Sequence, residues 1–142
     1  MGTYRAFVVG VFLLALTAGL SGDVRAQGGQ SCRAEALPMA RVELFFGLQR
    51  QDGTLIGEAE WAAFLDQEVT PRFPDGLSVF TARGQWRHDT GRIARETSKM
   101  LVILYQPSAE SEAAIEEIRA AYKEGFDQES VMRLDSSSCV SF

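Results

Sequence analysis

The chain has 142 residues, with 14 Lys and Arg against 19 Asp and Glu, for a net charge of −5 at neutral pH. An acidic chain of this length has room for one hydrophobic core and no general attraction for nucleic acid or anionic lipid. One histidine and two cysteines are too few to build a transition-metal cluster, and neither a phosphate loop nor a nucleophile elbow is present, so no cofactor is expected.

Arg5 precedes an uncharged apolar run over residues 6–20, followed by Val24-Arg25-Ala26. A basic start, a short apolar stretch and a small residue at the cut predict a signal peptide over residues 1–26. The run falls short of the roughly 20 apolar residues of a spanning helix, so no membrane attachment is expected after cleavage. The product would be exported, periplasmic or secreted, into an oxidising compartment where Cys32 and Cys139 are expected to pair. That bridge closes a loop of about 107 residues, for which chain entropy suggests on the order of 4 to 5 kcal/mol.

Residues 27–40 read as a flexible lead-in to a single domain over residues 41–142. The first strand spans residues 41–48, where Val42, Leu44, Phe46 and Leu48 alternate with Glu43, Phe45 and Gly47. After the Gln51-Asp52-Gly53 turn, helix one covers residues 58–69, with Trp61, Phe64, Leu65 and Val69 as its apolar stripe. Strand two covers residues 77–87 and turns through His88-Asp89-Thr90-Gly91 into strand three, residues 92–105. Helix two opens at Pro107-Ser108, buries Ile115, Ile118, Tyr122 and Phe126, and can stop at Gly125. A last strand over residues 129–135 precedes a polar Ser136-Ser137-Ser138 tail and Cys139. Strand, helix, strand, strand, helix, strand predicts an α+β, ferredoxin-like split β-α-β sandwich. Its four-stranded antiparallel sheet would have order 4-1-3-2, with both helices on one face.

Strand parity then assigns the faces. Val42, Leu44, Phe46, Met100, Val102, Leu104, Met132 and Leu134 are expected under the helices, together with Trp86 and Glu96. The open face would carry Glu43, Phe45, Lys99, Leu101, Ile103, Tyr105, Val131 and Arg133, joined by Val79, Arg83 and Gln85 of strand two. Such a mixture of apolar area and charge is typical of a binding surface, and its apolar part predicts either a homodimer or coverage by the terminal segments held through the disulfide. The hairpin is locally basic, with Arg83, Arg87, Arg92, Arg95 and Lys99 against Asp89 and Glu96, so an anionic ligand is conceivable. Ser98 and Lys99 are adjacent on a strand and point to opposite faces, which excludes a serine–lysine dyad. His88 reads as a solvated turn residue.

Six segments together resemble domain-of-unknown-function family 3574, a family of small exported bacterial proteins. They are Val42 to Gly47, Glu60-Trp61, Pro71 to Leu77, Gly84 to Arg87, Glu96 to Lys99 and Gln128 to Val131. Phe45 and Gly57 depart from it, standing where a tyrosine and a capping serine or threonine are expected. The resemblance supplies no substrate and no catalytic residue. It implies that Arg83, Gln85, Trp86, Glu96 and Lys99 form one unit. The combined reading is an exported domain that binds a protein partner or small molecule through its open face. Glu43, Arg83, Gln85, Lys99, Tyr105 and Arg133 are its candidate contacts. The alternatives are a small periplasmic enzyme, with Glu43 or Glu96 as acid/base and Arg83 and Lys99 holding an anion, and a structural or inhibitory role.

Overall fold

The computed structural model describes residues 32–142; the predicted signal peptide and the start of the lead-in lie outside the described residues. In chain order the elements are β1 (Leu37–Gly47), α1 (Glu58–Phe64), β2 (Ser78–Arg87), β3 (Ile93–Tyr105), α2 (Ala109–Phe126) and β4 (Met132–Val140). A π-helical turn, Leu65–Val69, continues α1. The strands form one antiparallel sheet of order β2-β3-β1-β4, the ferredoxin-like arrangement that the element order predicts. Two crossovers of one hand place α1 and α2 on the same face.

The helix ends show how local chemistry sets the boundaries. Gly57 has no side chain to cap α1, so Glu60 reaches back and its Oε2 accepts the Gly57 N–H at 3.0 Å. Arg50 holds the other oxygen of Glu60 at 2.5 Å. Both contacts keep the Glu60 carboxyl below its ordinary range, the backbone N–H being the larger cause. Ser108 caps α2 by accepting the Ser111 N–H at 3.1 Å. The helix does not stop at Gly125, which lies within it; Asp127 takes the left-handed position at φ 54° and closes the last turn onto the Lys123 carbonyl.

The core lies between the helices and one face of the sheet. Val42, Leu44 and Phe46 of β1 meet Leu101 and Ile103 of β3, Trp61 and Phe64 of α1, and Ile115, Ile118 and Tyr122 of α2. Aromatic rings dominate its centre: Phe46 lies 4.7 Å from Tyr122 and 5.2 Å from Trp61, and Phe64 lies 5.0 Å from Tyr122.

Register corrects the predicted faces of three strands. Phe46 pairs with Lys99, Leu44 with Leu101 and Val42 with Ile103, so the odd-numbered residues of β3 lie under the helices. Met100, Val102 and Leu104 take the uncovered face instead. Leu44 likewise pairs with Arg133, which brings Arg133 inward and turns Met132 and Leu134 outward. In β2, Val79 pairs with Leu101, so Val79, Arg83 and Gln85 are helix-side and Phe80 and Trp86 are not. Both faces of Met100 to Tyr105 are apolar, so alternation alone gives no parity there, and a shift of one residue inverts every side chain.

β1 and β4 are also longer than predicted. Leu37 pairs with Val140 and Ala40 with Ser137, so residues 37–40 and the three serines are strand, not lead-in and tail. Three serines carry no apolar signal; the partner strand and the terminal cross-link supply the pairing. Cys32 and Cys139 form that cross-link across a separation of 107 residues, with Cα atoms 5.4 Å apart.

Candidate functional site

The uncovered sheet face is apolar across its width. Phe80, Leu104, Met132 and Leu134 are 51%, 38%, 54% and 44% exposed, and Phe45, Met100 and Val102 lie half-buried between them. One ion pair interrupts this surface, Arg41 Nη2 to Glu43 Oε1 at 2.7 Å. The Nε–H of Arg41 is out of water and has no acceptor among the described residues. A shallow depression of 410 Å³ beside it is lined by Arg41, Val102, Leu104 and Val140.

Of the six predicted contacts, only Glu43 belongs to this face. Lys99, Tyr105 and Arg133 face the helices, and β2 register puts Arg83 and Gln85 on that side too. Lys99 is buried; its Nζ donates to both oxygens of Glu58, at 2.7 and 3.0 Å, and to Thr81 Oγ1 at 3.3 Å, which ties the first turn of α1 to the sheet. Tyr105 donates to Glu112 Oε1 at 2.8 Å. Burial, with this carboxylate second, pushes its phenol up to about 12. Arg133 reaches Glu112 at 2.6 Å, Glu116 at 2.8 Å and Asp135 at 2.8 Å. Its bond to Asp135, followed by those to the glutamates, raises its already high pKa, and Arg133 in turn is the first cause that lowers Glu112. A charge expected to be a contact of the open face is therefore a strap between β4 and α2.

The predicted enzyme constellation is divided by the sheet. Glu43 and Glu96 lie on the uncovered side, whereas Arg83 and Lys99 lie on the helix side. Ser98 and Lys99 fall on opposite faces, as their adjacency requires.

A second concave site lies where the β2–β3 hairpin leaves the body of the sheet. It is a cleft of 660 Å³ between β3 and the loops that follow β1 and α2. Trp86 and Glu96 form part of its wall, and the indole Nε1–H donates to Glu96 Oε1 at 3.1 Å. Trp86 is not the core plug its assumed parity suggested; it is 49% exposed and its ring centroid lies 3.9 Å from that of His88. On the far side Gln128 Nε2 donates to the Gln49 carbonyl at 2.7 Å, pinning the two loops together. Asp127 and Glu129 were missed as site residues. The signal available was that Gly47, Trp86, Glu96 and Gln128 to Ser130, all within segments carrying the family resemblance, meet at this cleft.

The described residues thus form a ferredoxin-like α+β domain with an uncovered apolar face and one lateral cleft. The chain belongs to the family described as "Protein of unknown function (DUF3574)", which matches residues 41–142. No curated protein matches it in sequence. Among solved structures it is similar to a phage SAM lyase in complex with S-methyl-5'-thioadenosine, at 15% identity and a TM-score of 0.54 over 80% of this chain and 95% of that one. The apo state of a phage SAM lyase aligns at 18% identity and a TM-score of 0.52 over 74% and 90% of the two chains. CutA from Synechococcus elongatus follows at 15% identity and a TM-score of 0.47, covering 73% and 82%. At these identities the shared property is the fold.

Proposed function

We propose that the protein is an exported binding domain that associates with a second copy of itself through the uncovered sheet face. The observation that carries this reading is the exposure of Phe80, Leu104, Met132 and Leu134 on one continuous surface. Contiguous apolar area of this kind is rarely left in water by a monomer. A twofold axis through the face brings the same patch to both copies. Where that axis passes beside the Arg41–Glu43 pair, it brings the Glu43 of one copy within reach of the Arg41 of the other, whose Nε–H has no acceptor among the described residues of its own chain. This reading keeps the binding role predicted from the sequence and replaces most of its residues.

Light scattering across a concentration series tests it. The wild-type mass should rise to that of a dimer, and Met132→Glu should hold the chain at monomer mass. Met132 already lies half in water, so the variant should keep its circular dichroism and thermal midpoint. A wild-type monomer at every concentration overturns the proposal.

A further inference from the structure

β1 ends at Gly47, opposite Ser98, whereas β3 begins five residues earlier at Ile93. The last backbone link on that side is the Leu48 N–H to the Thr97 carbonyl, at 3.2 Å. Beyond it, β2 is the one strand beside β3 among the described residues, and the 660 Å³ cleft runs along this edge. Leu55 forms an exposed apolar lip above the buried Ile56, and Trp86 presents a half-exposed indole whose rotation is restrained by Glu96.

The charge of the lining has a definite sign. Glu96, Asp127 and Glu129 are its carboxylates and Arg95 its one cation, and among the described residues none of the four takes part in an ion pair. Among the described residues no group of three or more His, Cys, Asp or Glu is placed to hold a metal ion. Three carboxylates against one guanidinium leave an excess of two negative charges beside an apolar wall, a combination that suits a cation carrying its own apolar body.

We propose that this cleft binds an organic cation, an amine or quaternary ammonium group seated against the Trp86 ring and the carboxylates of Glu96 and Glu129. An indole face attracts such a head group through its quadrupole, the carboxylates supply the opposite charge, and Leu55 and Ile56 shelter the attached carbons. Trp86 and Glu96 share the uncovered side of the sheet with the dimer face proposed above, but the cleft lies beyond the end of β1, and Met132 and Leu104 are not among its lining residues.

Choline and spermidine are the probes, read on the two indole N–H signals by NMR titration. Trp61 is 3% exposed and serves as the internal reference, so the Trp86 signal should move while that of Trp61 stays. Glu96→Gln keeps an acceptor for the indole N–H and removes the charge; it should weaken binding about tenfold, as should Trp86→Leu, whose affinity is read by titration calorimetry beside the wild type because the reporting indole is gone. Glu129→Gln tests the opposite wall, and the Gln variants decide the matter if Trp86→Leu fails to fold. Absence of a Trp86 shift with millimolar choline and spermidine overturns the proposal. So does unchanged binding in Glu96→Gln, or a preference for citrate, which would make Arg95 the anchor of an anion site.

Discussion

Arg133 and Lys99 place charge on the helix side of a sheet whose apolar pattern reserves that side for the core. Each is answered by carboxylates from a helix, Glu112 and Glu116 for Arg133 and Glu58 for Lys99. The Arg133 bond holds Glu112 below its ordinary value of 4.5, with the Tyr105 hydroxyl as the second cause. A carboxyl depressed in the folded state stays ionised at pH values where the unfolded chain takes up a proton. Its contribution is therefore complete above the ordinary carboxylate range and is lost as pH falls through the depressed value. Urea midpoints at about pH 7 and about pH 3 should show a smaller acid loss in Glu112→Gln than in the wild type. Equal losses would mean that Glu112 is not held as the geometry indicates. Arg133 was hard to place from sequence because an isolated arginine beside Met132 and Leu134 looks like the solvated member of the alternation. The legible clue was on α2, where Glu112 and Glu116 sit one turn apart on either side of buried Ile115 and supply a ready counter-charge.

At the level of elements, β1 was legible because Glu43 breaks its apolar run and marks the outer face, and α2 because Ser108 caps it and Ile115, Ile118 and Tyr122 repeat at helical spacing. β3 was not, since Met100 to Tyr105 is apolar on both faces. The faces of β4 followed the apolar residues and were inverted by the ion pairs of Arg133. The outer halves of β1 and β4 were invisible for a different reason: residues 37–40 and 136–140 hold each other through backbone pairing and the Cys32–Cys139 bond, with little core burial. This makes the cross-link separable from the core. Cys139→Ser frees a loop of 107 residues from covalent closure and should cost about 2 to 5 kcal/mol in urea unfolding, with near-native circular dichroism retained. A fully unfolded variant would mean that the terminal pairing supports the core as well as the ends.

Across the whole molecule, the order of elements was enough to obtain the topology, because two right-handed crossovers joined by a hairpin leave few alternative sheets. The two proposed recognition surfaces were less legible, since each depends on register: the proposed dimer face on which residues of β3 and β4 turn outward, and the cleft on how far the hairpin outruns β1. Among the described residues no helix is long and apolar enough to cross a membrane. Together with the bonded cysteine pair, this is compatible with the proposed export, whose mark should be written in the mass of the product. Full-length chain made in a bacterium and recovered from the periplasm should begin at Gln27 and carry the mass of an oxidised Cys32–Cys139 pair. The same chain without residues 1–26 should accumulate in the reducing cytosol with both thiols open to alkylation and a lower thermal midpoint. Recovery of full-length protein from the cytosol, with its apolar run uncut and its thiols reduced, would show that residues 1–26 are not an export signal.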